Sequence, residues 1–410
     1  MLSNKRVFIT GISGFVGSHL AKYLVDHGNE VYGLVRRRAD GSKPKNVVRL
    51  RIYEQLHLIE GDISSISNLG AALEIAKPDI IFHLAAQSFI PASFLNPLET
   101  LLFNSSGTAN LLESVRIKGL DPIVVFAGSS EEYGLVFASQ KQYERALKKM
   151  GTIFPPAQTI PELPISERNC LRPMSPYAIS KVQGDYLMRG YHNIYGLKTI
   201  VSRSFNTEGS GRGNMFVTSE ITNQVMKLKL EETDKIVIGN VNVFRDWSHI
   251  VDIVEGYCLI AEKGQPGEMY NQGSVRTNSV LTYILLTLVR ASWRVEKIET
   301  MNEADRKTVT DPVRISSDEM FGVQFEKTKV DELLLRNELD FAPEDKGIWV
   351  YTNKGEIPIM FDPRRFRTAE VPILLADTRK IQQLGFKVTR KLTDIIDDQL
   401  NFYLERTERF

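Results

Sequence analysis

Tyr177 and Lys181 in the segment SPYAISK are four residues apart, so both side chains lie on one face if the segment is helical. A lysine ammonium beside a phenol favours the phenolate, which can take the proton of an alcohol while hydride leaves the same carbon. The pair therefore predicts oxidation of an alcohol, provided that a hydride acceptor binds nearby. By itself the spacing is common and also fits a helix surface.

A glycine-rich turn could hold that acceptor. The segment VFITGISGFVGSHLAKYL joins an apolar strand to an amphipathic helix through Gly11, Gly14 and Gly17. Such a turn lets the backbone approach a pyrophosphate, which then lies on the free N–H groups at the start of the helix. Because the turn stands between a clear strand and a clear helix, it predicts dinucleotide binding rather than a purely structural turn.

Three arginines follow the second predicted strand, at the position whose residue type distinguishes NAD-binding from NADP-binding proteins. The second predicted strand, EVYGLV, is followed by Arg36, Arg37 and Arg38 instead of the acid that holds a ribose 2′-hydroxyl. Arginines attract a 2′-phosphate, so NADP is predicted over NAD, and a solvated basic loop is the alternative. Asp62, where the third strand ends, could accept a hydrogen bond from the adenine amine or cap a helix.

The order of strands and helices predicts the scaffold for these residues. From Lys5 to about Ile260, short β-branched runs alternate with helical patterns, which is typical of a parallel sheet wrapped by helices. We therefore predict an α/β fold, a Rossmann-type doubly wound parallel sheet with a smaller, discontinuous α+β C-terminal substrate domain. The predicted strands are RVFIT, EVYGLV, LHLIEGD, DIIFHLA, IVVFAGSS, KTIVSRSF and KIVIG.

The composition excludes several classes of partner. With 51 basic and 50 acidic side chains the net charge is +1, so no binding to nucleic acid is expected. Cys170 and Cys258 lack metal-ligand spacing, which argues against a disulfide framework or a zinc site and suits a reducing cytoplasm. No stretch approaches the ~20 apolar residues of a membrane span, and LTYILLTLV is predicted to be a buried helix. The apolar run at the N-terminus is too short for a signal peptide.

Several segments resemble a known enzyme family. The glycine loop, HLAAQS and SPYAISK resemble the extended short-chain dehydrogenases/reductases, which reshape nucleotide-activated sugars. Five further segments are similar to GDP-mannose 4,6-dehydratases, and the last of them is the most specific signal. They are AAQSFIPASFLNPLET, SFNTEG, GRGNMFVTSEIT, FRDWSHIVDIVEG and FDPRRFRTAEVPILLADTRKIQQLGF. GSSEEYG and LRPMSPY also resemble GDP-4-keto-6-deoxymannose reductases.

The resemblance implies catalytic roles for four residues. Tyr177 would be the base at C4, Lys181 its activator, and Ser129 a hydrogen-bond partner of the C4 oxygen. Glu131, in VVFAGSSEEYG, would remove the C5 proton and then help the C6 hydroxyl to leave. The neighbouring Glu132 stands where the dehydratases usually carry an apolar residue, and we expect it to be a solvated or locally paired loop carboxylate.

The resemblance also implies binding residues. The expected cofactor contacts are Gly11, Gly14, Phe15, Gly17, Arg36, Asp62, Ile63, Leu84, Ala85, Ala86, Tyr177 and Lys181. The expected substrate contacts are Ser88, Asn206, Val217, Glu220, Arg245, Arg367 and Glu370. Two arginines, Arg245 and Arg367, would contact the nucleotide diphosphate or its ribose, and Glu370 the ribose hydroxyls.

One departure from the dehydratase pattern changes the charge of the site. The family usually shows Arg-Lys after the threonine of FVT, whereas this chain has Ser219 and Glu220. An anion thus replaces a phosphate-pairing cation, which either weakens diphosphate binding or implies a compensating divalent metal. Ligand spacing alone predicts no metal site.

The resemblance divides the chain into two domains with two insertions. We expect an NADP-binding domain over 1–205 and 236–262, a nucleotide-sugar-binding domain over 206–235 and 263–410, and insertions near 136–164 and 302–345. The first insertion contains an amphipathic helix and a proline-rich return, and it could cover the sugar pocket or be a surface excursion. The second is strongly charged around a helical KVDELLLRNEL core.

The leading hypothesis is a lyase reaction, the NADP-dependent dehydration of a GDP-hexose, with GDP-mannose favoured, to its 4-keto-6-deoxy product. The alternative is another GDP-sugar conversion on the same fold: 4-keto reduction, epimerisation or a metal-assisted pyranose/furanose isomerisation. A non-catalytic NADP-sensing protein is a remote third hypothesis, against which the Tyr177 and Lys181 pair argues. The loop Arg36 to Arg38 resembles the segment through which these dehydratases reach a neighbouring subunit, so a homodimer or homotetramer is expected.

Overall fold

A computed structural model describes residues 2–302, 306–366 and 370–405 of the 410-residue chain. Arg367, one of the predicted substrate contacts, lies outside the described residues. All other predicted site residues are described.

Seven parallel strands form the central sheet. Successive residues of these strands point to opposite faces, and both faces are buried: Phe8 packs in one apolar cluster, whereas Val7 and Ile9 pack in another. This explains why the strand sequences are apolar throughout. In spatial order the strands are Met269–Gln272, Lys198–Ser204, Ile123–Ala127, Ile80–His83, Arg6–Thr10, Glu30–Val35 and His57–Glu60.

Six of the seven predicted strand segments form this sheet, and the placement of KIVIG is wrong. Its strand, Ile236–Ile238, pairs with Gly355–Phe361 in a different sheet, and Met269–Gln272 takes the seventh position beside Lys198–Ser204. The side-chain amide of Gln224 bonds to both the N–H and the carbonyl of Val237, at 2.7 and 3.0 Å. A three-residue apolar run does not specify its partner, so only the fold reveals this pairing.

Helices cover both faces of the central sheet, in agreement with the predicted doubly wound fold. They are Phe15–Asp26, Lys45–Arg49, Ile66–Ala76, Ile90–Leu95, Pro97–Leu101, Gly107–Ile117, Pro176–Tyr195, Ile250–Lys263 and Arg379–Gln382, with a π-helical turn at Leu102–Ser106 and 3₁₀ turns at Tyr53–Gln55 and Ser130–Glu132.

The C-terminal part is built on a five-stranded sheet with helices packed against it. In spatial order its strands are Thr308–Thr310, Val295–Thr300, Gly347–Thr352, Gly355–Phe361 and Ile236–Ile238. The accompanying helices are Val217–Lys229, Val280–Arg290, Lys329–Leu335 and Leu392–Leu404, with a 3₁₀ turn at Pro363–Arg365. Four two-stranded pairs complete it: Asn206–Glu208 with Trp247–His249, Phe244–Arg245 with Asn278–Ser279, Ile315–Ser316 with Lys327–Thr328, and Glu319–Met320 with Val323–Gln324.

The segment LTYILLTLV forms most of a buried helix, Val280–Arg290, as predicted. Its aromatic side chain, Tyr283, contacts the indole of Trp247 edge to face, with the ring centroids 5.0 Å apart. In the described part of the chain, no helix combines the length and the apolar character that crossing a bilayer requires.

The first inserted stretch packs against the protein through its own small apolar cluster. Its amphipathic helix spans Gln140–Met150, and Tyr143 contacts the ring of Phe137 at 5.0 Å. The buried carboxylate of Glu162 pairs with Arg172 at 2.8 Å, which fixes the proline-rich return where it leads toward the tyrosine helix, Pro176–Tyr195.

The second inserted stretch is anchored by one buried aspartate. The helix Lys329–Leu335 carries Asp331, which accepts hydrogen bonds from Asn278 Nδ2 at 2.9 Å, from the Ser279 N–H at 2.8 Å and from Thr282 Oγ1 at 2.7 Å. A buried carboxylate with this many donors is satisfied, so Asp331 joins the insertion to the core of the C-terminal part.

Candidate active site

A cavity of about 2170 Å³ follows the carboxyl ends of the central strands and extends into the C-terminal part. Every predicted catalytic, cofactor-binding and substrate-binding residue that the structure describes lines it. None of the residues 136–164 is among the lining residues, so the first insertion does not cover this cavity.

The glycine turn fits a dinucleotide phosphate. Gly11 has a positive φ of 77°, and a Cβ at that position would lie 2.7 Å from the Ala85 nitrogen. A Cβ at Gly17 would lie 2.2 Å from the Gly11 carbonyl oxygen, so the helix Phe15–Asp26 packs directly on the turn. Gly14 begins this helix without a side-chain cap, which leaves the terminal N–H groups open to an anion.

A buried histidine fixes the neighbouring strand end. His83 contacts Thr10 Oγ1 through Nδ1 at 2.7 Å and Thr108 Oγ1 through Nε2 at 3.0 Å. Burial, together with the charge of Lys181, lowers the pKa of His83 to about 3, so the ring is neutral at physiological pH. The Ala85 N–H also bonds to Thr10 Oγ1, at 3.2 Å. These contacts position the predicted cofactor segment Leu84 to Ala86.

The adenosine end of the predicted cofactor site contains Arg36 and Asp62. Burial raises the pKa of Asp62, but the hydrogen bonds from Ser64 and the charge of Arg36 outweigh it and leave this pKa below its usual value. Ser65, and not Asp62, caps the helix Ile66–Ala76, so the helix-cap alternative for Asp62 is wrong. Asp62 instead accepts from the Ser64 N–H and hydroxyl, at 2.8 and 2.7 Å.

Tyr177 and Lys181 lie together on the tyrosine helix, Pro176–Tyr195, as predicted. The Lys181 ammonium donates to the Ala127 carbonyl at 2.7 Å and lies 5.8 Å from the centre of the Tyr177 ring. Burial lowers the pKa of Lys181 to about 8, against an opposing effect of the Glu132 charge. Lys181 therefore loses its charge as the pH rises past about 8.

The phenol of Tyr177 is held by Ser129. Burial raises the pKa of Tyr177 above its usual value of 10, whereas the hydrogen bond with Ser129 lowers it. The charge of Glu131 raises this pKa further and that of Arg212 lowers it, so both side chains are within electrostatic reach of the phenol. Ser129, Glu131 and Tyr177 therefore form one group at the end of the strand Ile123–Ala127.

The part of the cavity that contains the predicted substrate contacts has two arginines, each paired with a glutamate. Arg245 is buried, and it donates from Nη2 to Glu370 Oε1 at 3.0 Å and from Nη1 to the Val371 carbonyl at 2.8 Å. Glu220 forms an ion pair with Arg365, a residue that the sequence reasoning did not single out. The two partners of this pair are 145 positions apart in the chain, so no local sequence signal marks it.

Residues 7–273 match the NAD dependent epimerase/dehydratase family. This chain belongs to that family. A curated relative, the GDP-mannose 4,6-dehydratase of Yersinia enterocolitica, is 30% identical over 392 residues, which cover 92% of this chain and 88% of the relative. The predicted resemblance is thereby confirmed.

Two solved structures share the fold of this epimerase/dehydratase. RMD from Pseudomonas aeruginosa complexed with NADPH superposes with a TM-score of 0.67 at 21% identity, over 98% of this chain and 99% of that one. A dTDP-glucose 4,6-dehydratase from Streptomyces venezuelae, solved with NAD bound, gives a TM-score of 0.64 at 20% identity, over 98% and 97% of the two chains. Both neighbours confirm the predicted Rossmann-type fold.

The epimerase/dehydratase buries Glu132 and pairs it locally, so of the expected solvated or locally paired carboxylate only the local pairing is confirmed. Its Oε1 accepts the Ser129 N–H at 2.7 Å, and its Oε2 lies 3.4 Å from Arg203 Nε, which also pairs with Asp185 at 2.9 Å. The 3₁₀ turn Ser130–Glu132 sends the two adjacent glutamates in different directions, so Glu131 lines the cavity whereas Glu132 enters the core. Burial raises the pKa of Glu132 to about 8.

Asn104 joins the cavity wall to the tyrosine helix, a role that sequence reasoning missed. Its Nδ2 donates to Ser180 Oγ at 2.9 Å and to the Gln87 carbonyl at 3.0 Å, and its Oδ1 accepts the Gln87 N–H at 2.8 Å. Asn104 lies in the π-helical turn Leu102–Ser106, a feature often found near functional sites. An irregular turn of this kind has no spacing signature in the sequence.

The structure offers no support for a metal at Glu220. Among residues 2–302, 306–366 and 370–405, no cluster of three or more His, Cys, Asp or Glu side chains has the geometry to hold a metal ion. Arg365 already compensates the charge of Glu220.

Proposed function

We propose that this epimerase/dehydratase removes water from a GDP-hexose, with GDP-mannose as the favoured substrate and NADP as the cofactor, to give the GDP-4-keto-6-deoxyhexose. The observation that carries the proposal is the position of Glu131, which lines the same cavity as Ser129, Tyr177 and Lys181. The dehydratase relative at 30% identity supports the same reaction.

The first step uses the tyrosine and its neighbours. Tyr177 takes the proton of the C4 hydroxyl, Ser129 holds the C4 oxygen, and the Lys181 ammonium stabilises the phenolate. When bound on the glycine turn, NADP supplies the hydride acceptor for this oxidation and the hydride donor for the last step, so the reaction has no net redox change. The ketone at C4 makes the C5 proton acidic.

The second step uses Glu131. As a carboxylate it removes the C5 proton, and as a carboxylic acid it then protonates the departing C6 hydroxyl, so that water leaves across C5 and C6. Hydride returns to C6 and a proton to C5. One carboxyl group acts in turn as base and acid, and the proposal needs no second group for the elimination.

NADP is proposed over NAD because of the basic residues at the end of the second strand. Arg36, Arg37 and Arg38 line the cavity there, and no acid stands at the end of the strand Glu30–Val35 to hold a 2′-hydroxyl. The two structural neighbours were solved with different cofactors, NADPH and NAD, so the choice depends on these arginines.

A related reaction on a GDP-sugar is the second candidate, favoured by Glu220, which stands where dehydratases have a cation. Incubation with GDP-mannose separates the two. A dehydratase gives an alkali-absorbing 4-keto sugar without added NADPH, whereas a 4-keto reductase leaves GDP-mannose unchanged. If the intact, NADP-loaded protein forms no such product, the dehydratase proposal fails.

Three further predictions remain proposals with their own tests. The domain boundaries given above, with Ile236–Ile238 moved to the C-terminal part and Met269–Gln272 moved to the central sheet as their strand pairing requires, can be probed by limited proteolysis. Assembly into a homodimer or homotetramer, proposed from the Arg36 to Arg38 loop, can be measured by light scattering. A cytoplasmic location, proposed from the cysteine content, can be tested by fractionation.

A further inference from the structure

The ion pair between Glu220 and Arg365 lies on the wall of the cavity, in the part that contains the predicted substrate contacts. Glu220 is in the first turn of the helix Val217–Lys229, and Arg365 ends the 3₁₀ turn Pro363–Arg365. Arg365 Nη1 donates to Glu220 Oε1, and both residues line the cavity. The Arg365 side chain is 42% exposed and that of Glu220 30% exposed, so a ligand in the cavity can reach the pair.

The Arg365 guanidinium is held by two hydrogen-bond acceptors and one more distant carboxylate. Besides Glu220, Nη1 bonds to the Val237 carbonyl at 3.3 Å, and Nε lies 3.7 Å from Asp362 Oδ2. The chain at Gly239 passes close to the same residue, since a Cβ at Gly239 would lie 2.8 Å from Arg365 Cβ. A guanidinium has five N–H donors, so Arg365 keeps donors for a further partner.

The other arginines on this part of the cavity wall already have partners: Arg212 pairs with Glu208 at 3.6 Å, and Arg364 pairs with Asp362 at 2.9 Å. Ser219 is buried, its hydroxyl donates to the Arg212 carbonyl at 3.1 Å, and it is not among the residues that line the cavity. Arg245 is buried and donates to Glu370 and to two carbonyl groups. The diphosphate of a nucleotide sugar carries two negative charges. A planar guanidinium can bind two phosphate oxygens at once through two of its N–H groups.

We propose that Arg365 binds the diphosphate of the nucleotide sugar, and that Glu220 is a positioning residue that holds the guanidinium toward the cavity. The C-terminal part would thus provide the cation that the dehydratases carry after the threonine of FVT. This inference rests on the proposed nucleotide-sugar substrate and replaces the metal that Glu220 alone would suggest.

The test is GDP binding to Arg365→Gln, measured by calorimetry on the NADP-loaded protein. We expect at least a tenfold loss of GDP affinity, unchanged affinity for guanosine, which lacks the diphosphate, and a weaker dependence of GDP binding on salt. Arg294→Gln is the control, because this arginine is 75% exposed, pairs with Glu296 and does not line the cavity. Its GDP affinity should change less than threefold.

A second variant restores the cation on the other side of the pair. Arg365→Gln combined with Glu220→Lys should regain most of the lost GDP affinity. If Arg365→Gln binds GDP as tightly as the unchanged protein, or loses guanosine and GDP affinity equally, the inference is overturned. These outcomes do not depend on turnover. A protein that leaves GDP-mannose unchanged but needs Arg365 for GDP would contradict the proposed function alone.

Discussion

Glu132 accepts the backbone N–H of Ser129 at 2.7 Å from inside the protein, directly behind the turn that presents Glu131 to the cavity. The Glu132 carboxylate comes this close to the backbone only because residue 128 is a glycine: a Cβ at Gly128 would lie 2.7 Å from Glu132 Oε1. Two adjacent glutamates therefore have separate surroundings. One contacts the cavity and the other supports the backbone that holds Ser129.

Glu132→Gln should make stability less dependent on pH. Burial raises the pKa of Glu132 to about 8, above the unfolded value near 4.5, so the folded protein holds a proton there that the unfolded chain releases. The stability that this bound proton gives to the folded protein is fully present below pH 4.5 and is lost as the pH rises to about 8. The unchanged protein therefore loses stability from this group between pH 5 and 8, whereas the glutamine variant does not. The difference in free energy of unfolding, variant minus unchanged protein, should rise from pH 5 to pH 8. Denaturant unfolding of both proteins at pH 5 and at pH 8 measures these free energies. If the difference between the two proteins is the same at both pH values, the prediction is contradicted.

Tyr177→Phe should slow C4 oxidation severely, because the ring remains but the proton acceptor is lost. We expect kcat to fall by about 10³-fold, within the range that general acid–base groups supply. GDP affinity should stay within a factor of three. Ser129→Ala is the companion variant, with a loss of about 10²-fold, since it removes one hydrogen bond to the C4 oxygen. Near-normal turnover in the phenylalanine variant would exclude Tyr177 as the base.

The rate of turnover should fall as the pH rises past about 8. Burial lowers the pKa of Lys181 to about 8, and a neutral lysine no longer stabilises the Tyr177 phenolate. In Lys181→Arg the guanidinium stays charged, so this alkaline decrease should vanish even though the overall rate is lower. The pH profile of kcat for both proteins provides the check. If kcat of Lys181→Arg still falls above about pH 8 as in the unchanged protein, the decrease is caused by a group other than Lys181.

Arg36→Asp should change the cofactor preference. The substitution removes a cation from the predicted 2′-phosphate site and introduces an acid suited to a 2′-hydroxyl. We expect NADP affinity to fall at least tenfold and NAD affinity to rise, as measured by fluorescence titration. Arg294→Asp is the control for net charge, because Arg294 is 75% exposed, pairs with Glu296 and does not line the cavity, so its effect should be small. Equal effects of the two variants would assign the preference to net charge alone.

The parts of this fold that the sequence predicts are those set by local patterns. The strands Arg6–Thr10 and Ile123–Ala127 are apolar on both faces, and the glycine turn and the Tyr177 and Lys181 spacing are local as well. The burial of Glu132 depends on Arg203, whose side chain reaches it only once the sheet has formed. Long-range pairs of this kind have no periodicity or spacing that a sequence pattern can show.

The same reason explains the misplaced strand and the missed arginine. Ile236–Ile238 is recognisable as a strand, but its partner Gly355–Phe361 lies more than a hundred residues further along the chain. Arg365 likewise meets Glu220 only through the fold. The charge at Glu220 could be noticed in the sequence, whereas the residue that compensates it could not be identified there.

The most direct test of the central claim, that Glu131 shuttles the C5 proton, is the dehydration of GDP-mannose in D₂O by the unchanged protein and by Glu131→Gln. The unchanged protein should release a product that has lost water and carries one deuterium at C5. Glu131→Gln should form no such product and exchange no C5 proton, while its affinities for NADP and GDP stay within a factor of three. Deuterium incorporation by Glu131→Gln at the rate of the unchanged protein would contradict the account.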